Sequence, residues 1–109
     1  MKIEYLETSR YGASWMKYYY DTHPELNGAQ AYLNLEGALD YLLEHPLGGH
    51  PYNGRKDVRE KSILQTPFSL LYVAKRDTIF VVDIRDSRGM RSARALREFN
   101  RKVRGKYNI

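Results

Sequence analysis

Hydrophobic positions are densest between Val58 and Arg88, where three runs rich in Val, Ile, Phe and Tyr are broken at Gln65-Thr66-Pro67 and at Lys75-Arg76-Asp77. Runs of this composition between short breaks predict strands joined by tight turns. Connections so short can link only antiparallel neighbours, because a parallel pair needs a crossover of about a dozen residues. The middle and last runs, Phe68 to Ala74 and Ile79 to Ile84, are apolar at nearly every position. Such runs predict burial on both faces, or one face on the core and the other under a partner.

Ahead of this block, Lys2 to Leu6 alternates and reads as a first strand. Thr8 or Ser9 is placed to cap a helix running to about Asp21. In that helix Tyr11, Trp15, Tyr18 and Tyr19 form one aromatic stripe and Met16 and Tyr20 another, so one stripe is expected in the core and the other partly exposed. Thr22-His23-Pro24-Glu25 has the spacing of a capping box and predicts a second helix, to about Glu44. Its Tyr32, Leu35, Leu39 and Leu42, with Leu43, make a strong apolar stripe. Residues His45 to Gly54, dense in Pro and Gly, read as a loop. After the strands, a turn at Asp86 to Met90 leads into a predicted last helix from about Ser92 to Arg104. There Ala95, Leu96, Phe99 and Val103 line one face and Arg94, Arg97, Arg101 and Arg104 the other.

The expected fold class is therefore α+β, a helical hairpin packed on a small antiparallel sheet in the order strand, helix, helix, three strands, with an extra C-terminal helix. At 109 residues one domain is expected, with roughly two-thirds of the unfolded surface buried. No run approaches the ~18 apolar residues of a membrane span, and the N-terminus has no apolar signal region, so a soluble, cytoplasmic chain is expected. There is no cysteine, which removes disulfide and thiol chemistry. With no paired-carboxylate spacing, His23, His45 and His50 do not make a metal site, and no cofactor is called for. The net charge of +5 is unevenly placed, residues 1 to 84 carrying −2 and residues 85 to 109 carrying +7. A basic C-terminal quarter favours an anionic partner, nucleic acid or an acidic protein segment.

Three local features together resemble the RelE/ParE superfamily of toxin–antitoxin toxins. Leu43-Glu44-His45-Pro46 followed by Gly48-Gly49 is similar to the family's pattern at the end of its second helix. Val58-Arg59-Glu60 is similar to the arginine–glutamate pair opening its second strand. Phe68 to Tyr72 followed by Thr78 to Ile84 looks like its third and fourth strands. The resemblance covers about residues 1 to 90 and rests on the order and spacing of these features. It implies a small toxin held inactive by a cognate antitoxin, a short acidic chain that folds on binding as a helix in an apolar groove. Aromatic residues around Trp15 and Tyr19 are expected in that groove. Two branches share the fold: ParE-like members inhibit DNA gyrase, and RelE-like members cut messenger RNA on the ribosome. Fold alone does not choose between them.

RNA cleavage through a 2′-hydroxyl needs a base, an acid and cations beside the phosphate. Arginine suits the last role, staying charged and meeting phosphate oxygens through a planar fork. Arg59, with Arg85 and Arg88, is expected to converge on one sheet edge, flanked by Lys56 and Lys61. Ribonuclease members often place His or Tyr just after the last strand, where this chain has Asp86, Ser87 and Arg88. Asp86 would need a raised pKa to act as a base, and neighbouring arginines would lower it; Tyr107 is the other candidate. The alternative for Arg59 and Arg85 is structural pairing with Glu60, Asp83 or Asp86. A third function is nucleic-acid binding through the basic stripe of Arg94, Arg97, Arg101 and Arg104. The missing His or Tyr favours the gyrase-binding reading, which needs no acid–base pair.

Overall fold

The computed structural model describes residues 1–53 and 57–88. Lys56, Tyr107, the predicted last helix and its arginines Arg94, Arg97, Arg101 and Arg104 lie outside the described residues. Strand β1 (Lys2–Tyr5) leads through a 3-10 turn (Glu7–Ser9) into helix α1 (Arg10–Asp21), and helix α2 (Gly28–Glu44) follows. Then come strands β2 (His50–Pro51), β3 (Arg59–Ser62), β4 (Phe68–Lys75) and β5 (Thr78–Asp86). The class is α+β, as the sequence predicts.

The five strands form one sheet in the order β1-β5-β4-β3-β2. The β3, β4 and β5 strands pair antiparallel, and the Arg76-Asp77 turn closes the last hairpin with Lys75 opposite Thr78. Two features depart from the sequence reading. Strand β1 pairs parallel to β5, from Lys2 opposite Thr78 to Tyr5 opposite Val81, which the helical crossover between them makes possible. Residues His50 and Pro51, read as loop, form a short edge strand opposite Glu60 and Arg59. An edge position tolerates proline, since its missing N–H need not serve the ladder.

The helix starts also differ from expectation. Thr22 does not cap α2: its hydroxyl donates back to the Tyr18 and Tyr19 carbonyls at 2.8 and 3.2 Å, closing α1 instead. A hydroxyl turned to one helix end is lost to the next. Asn27 takes over, its side chain accepting from the Gln30 N–H at 3.0 Å, so α2 begins at Gly28. At α1 neither hydroxyl caps. Ser9 donates to the Leu6 carbonyl and Thr8 to the Val82 carbonyl, both at 2.6 Å, because the 3-10 turn already occupies the backbone there.

One sheet face carries the core. Phe68, Leu70 and Tyr72 of β4 and Ile79, Val81 and Ile84 of β5 meet Trp15 and Met16 of α1 and Ala31, Leu35, Ala38, Leu39 and Leu42 of α2. Both aromatic stripes of α1 contribute: Trp15 and Met16 are buried, Tyr18, Tyr19 and Tyr20 pack partly buried at the margin, and Tyr11 is exposed. On the opposite face Leu71 is buried while Val73, Phe80 and Val82 are half-buried, so the second face is only partly covered. Val82 is an extra residue on β5, since Leu71 faces Asp83 while Tyr72 faces Val81. Beyond this bulge β1 has ended, and α1 closes on the backbone of β5 at Gly12. A Cβ built there would overlap the Ile84 carbonyl oxygen and lie 2.5 Å from Asp83 Oδ1 and 2.8 Å from the Ile84 nitrogen.

Candidate functional site

The arginines expected to converge are held apart. Arg59 and Glu60 are neighbours on β3 and project to opposite faces, as successive strand residues must. Arg59 reaches the loop after α2, donating from Nη1 to the Gly49 carbonyl at 2.9 Å and to the Leu47 carbonyl at 3.4 Å. That loop is held a second time by Tyr72. The buried phenol donates to the Pro46 carbonyl at 2.9 Å and accepts from the Gly49 N–H at 2.8 Å. Gly49 is required by the close approach, since a Cβ there would lie 2.7 Å from the Tyr72 ring. The Gly/Pro pattern after the second helix is thus the point where Arg59 and Tyr72 fasten the loop to the sheet. Beside it Lys61 sits 4.5 Å from the Tyr41 ring centre, and the Tyr41 and His45 rings lie 4.7 Å apart.

Arg85 follows Glu60 to the other face. Its Nη1 donates to Glu60 Oε2 at 2.8 Å, and its guanidinium lies 5.7 Å from the Tyr52 ring. For Arg85, therefore, the structural pairing is the one observed.

Asp86 and Arg88 form a third, separate unit under α1. The Asp86 side chain has no solvent exposure. It accepts from Trp15 Nε1 at 2.8 Å, from the Arg88 backbone N–H at 3.1 Å, and from Arg88 Nε and Nη2 at 2.9 and 2.5 Å. Burial pushes the carboxyl up, but the bonds from Arg88 and Trp15 outweigh it and take the pKa from 3.8 down to about 2. A carboxylate with its lone pairs filled, and ionised at any physiological pH, does not take up a proton. Arg88 is in turn held in its charged form by Asp86 and stacks 4.4 Å over the Tyr19 ring. The bulge places Asp83 beside α1, where burial raises its pKa against the opposing Ile84 N–H bond.

Trp15 is buried, its indole N–H spent on Asp86, and offers no surface to a partner; the expectation of an exposed aromatic there is corrected. The physical reason is that α1 has no single inward stripe, being embraced both by β5 and by the turn after it. Tyr19, half-buried, packs edge-on to Phe68 with centroids 5.6 Å apart and lines a groove of about 210 Å³. This groove lies between the helical hairpin and the turn from β3 to β4, with Tyr20, Leu26, Gln30, Ala31 and Pro67 also on its walls. Its amides, Gln30 and Asn34, lie off the apolar stripe of α2 and were not singled out from sequence. Their spacing of four was the available signal, and Gln30 Nε2 donates to Asn34 Oδ1 at 2.9 Å.

Among the described residues no group of three or more His, Cys, Asp or Glu is placed to hold a metal ion, and no helix is long and apolar enough to cross a membrane. No family model matches the sequence, and no curated protein does. Among solved structures the chain is similar to one described as the chromosomal ParDE TA system from P. aeruginosa, at 18% identity and a TM-score of 0.50, over 79% of this chain and 95% of that one. At that identity the likeness is one of architecture. The strand, helical hairpin and antiparallel strands of this chain thus make up a fold shared with a component of a ParDE system.

Proposed function

We propose that this chain is the toxin of a type II toxin–antitoxin pair, ParE-like, acting in the cytoplasm by binding and inhibiting DNA gyrase and neutralised by a cognate acidic antitoxin. The shared fold supports the toxin class. The observation that carries the choice of mechanism is Asp86, which stands where ribonuclease members supply an acid or base. It is buried, fully bonded, and has a pKa of about 2. Arg59 and Arg85, moreover, face opposite sides of the sheet and each already holds a partner. Inhibition by binding asks nothing of a proton-transfer group. Purified gyrase in a DNA supercoiling assay tests the reading: the expected result is loss of supercoiling at micromolar toxin, relieved by the antitoxin. Undiminished supercoiling removes it, and ribosome-dependent cuts in a reporter transcript, abolished by Arg59→Ala, would move the chain to the ribonuclease branch. A salt-dependent affinity for DNA or RNA that disappears on deleting residues 92–109, without gyrase inhibition, would instead make it a nucleic-acid-binding module.

A further inference from the structure

The sheet has two outer strands, β1 and β2, and they present different edges. Strand β2 ends in Pro51, which has no N–H to offer, and proline blunts an edge against further pairing. Strand β1 has neither proline nor bulge. Its parallel ladder to β5 uses alternate residues: the Lys2 N–H donates to the Asp77 carbonyl at 2.8 Å, and the Leu6 N–H, four positions on, to the Val81 carbonyl at 3.0 Å. Residues of that parity spend their backbone groups on β5, so Ile3 and Tyr5 turn theirs outward. Among the described residues no strand meets them there.

The side chains of β1 sort by face in the same rhythm. Ile3 packs against the core under the helices. Tyr5 shares that face beside α2, where burial first and the Glu36 carboxylate second raise its phenol's pKa, yet it stays 51% exposed, as does Met1. Lys2 and Glu4 project from the other face, both exposed and, among the described residues, neither in an ion pair. We propose that β1 pairs antiparallel with β1 of a second copy about a two-fold axis at Ile3, running two sheets into one. Hydrogen bonding across the edge requires outward residues to face outward residues, which leaves three registers. With Ile3 opposite Ile3, Lys2 of each copy faces Glu4 of the other on one side of the sheet, and Met1 faces Tyr5 on the other. With Ile3 opposite Tyr5, Glu4 would face Glu4. With Tyr5 opposite Tyr5, Glu4 would face Leu6. Only the first register sets opposite charges together, twice, and at the non-hydrogen-bonded positions where cross-strand side chains stand closest. So short an edge makes a small interface, so the dimer is weak and forms with rising concentration. The proposal rests on β1 and does not depend on the toxin's target.

Sedimentation equilibrium of the full chain at low salt reads the association, and amide exchange at Ile3 and Tyr5 reads its place. The expected result is a reversible dimer that raised salt weakens, with exchange at those two amides slowing as concentration rises. Lys2→Glu and Glu4→Lys each put like charges opposite and should raise the dimer Kd at least about tenfold. The double variant, Lys2→Glu with Glu4→Lys, restores opposite pairs and should return Kd to within about threefold of wild type. A chain that stays monomeric to millimolar concentration overturns the proposal. So does a dimer whose Kd the single variants leave unchanged, or which the double variant leaves as weak as either single one. Exchange at Ile3 and Tyr5 that slows only when the antitoxin is added gives the edge to a partner's strand and overturns it too.

Discussion

Replacing Gly12 by alanine sets two effects of opposite sign against each other. In a helix interior alanine is favoured over glycine by about 1 kcal/mol. Against this, the new methyl would overlap the Ile84 carbonyl oxygen and fall 2.8 Å from the Ile84 nitrogen. Both are backbone atoms of a paired strand, so neither can rotate aside, and α1 must withdraw from β5 instead. Overpacking of this kind costs about 1–3 kcal/mol. Withdrawal also strains the Trp15 to Asp86 bond, of a charged type worth about 1.5–3 kcal/mol. Part of that bond and the overpacking together exceed the propensity gain, so Gly12→Ala should destabilise by about 2 kcal/mol. Gly37 supplies the internal control: it is on the exposed side of α2, and a Cβ there meets nothing within 4 Å, so Gly37→Ala should stabilise by about 0.5–1 kcal/mol. Urea unfolding followed by circular dichroism reads both as midpoint shifts at constant slope. If Gly12→Ala unfolds at or above the wild-type midpoint, the close approach of α1 to β5 is not what makes glycine necessary there.

Three further outcomes rest on the same set of contacts. The pKa of Asp86 is depressed in the folded chain, so its contribution to stability is present above about pH 4 and lost as pH falls toward 2; from the drop to about 2 it amounts to about 2 kcal/mol. Asp86→Asn should therefore destabilise at pH 7 by about that amount and flatten the stability loss between pH 4 and 2; an unchanged acid limb in chemical denaturation would refute this. Tyr72→Phe removes a buried hydroxyl that satisfies Pro46 and Gly49 and should cost about 1–3 kcal/mol, with faster amide exchange at Gly49 as its local signature. Arg76 opens the last hairpin turn with φ 58°, a region that costs a non-glycine residue about 1 kcal/mol, so Arg76→Gly should raise Tm by a few degrees.

Much of the local structure is legible along the chain. The strands from β3 to β5, their antiparallel order, the extent of α1 and the end of α2 follow from periodicity and turn residues, because a two-residue turn or an apolar stripe needs only its sequence neighbours. The start of α2 failed on a local ambiguity. Thr22 and Asn27 are both good caps, and the choice fell to whichever side chain was not already bonded at the end of α1. The candidate site was less legible still. Arg59, Arg85, Asp86 and Arg88 are legible as the polar residues at the strand ends, and the pairing of Arg85 with Glu60 is among the alternatives the sequence offers; the carbonyls that Arg59 reaches and the indole that Asp86 meets are not.

By itself, the sequence determined an α+β chain with a helical hairpin and three consecutive antiparallel strands, a basic C-terminal quarter, and no thiol chemistry. Tertiary structure alone decided that β1 lies parallel to β5, that Arg59 and Arg85 face opposite sides of the sheet, and that Asp86 is a buried anchor. These last facts depend on contacts between distant residues, Trp15 with Asp86 and Thr8 with Val82 across more than seventy positions. A carboxylate reads the same in sequence whether it faces solvent or an indole N–H. Its pKa, and with it what it can do chemically, comes into being only when the chain closes around it.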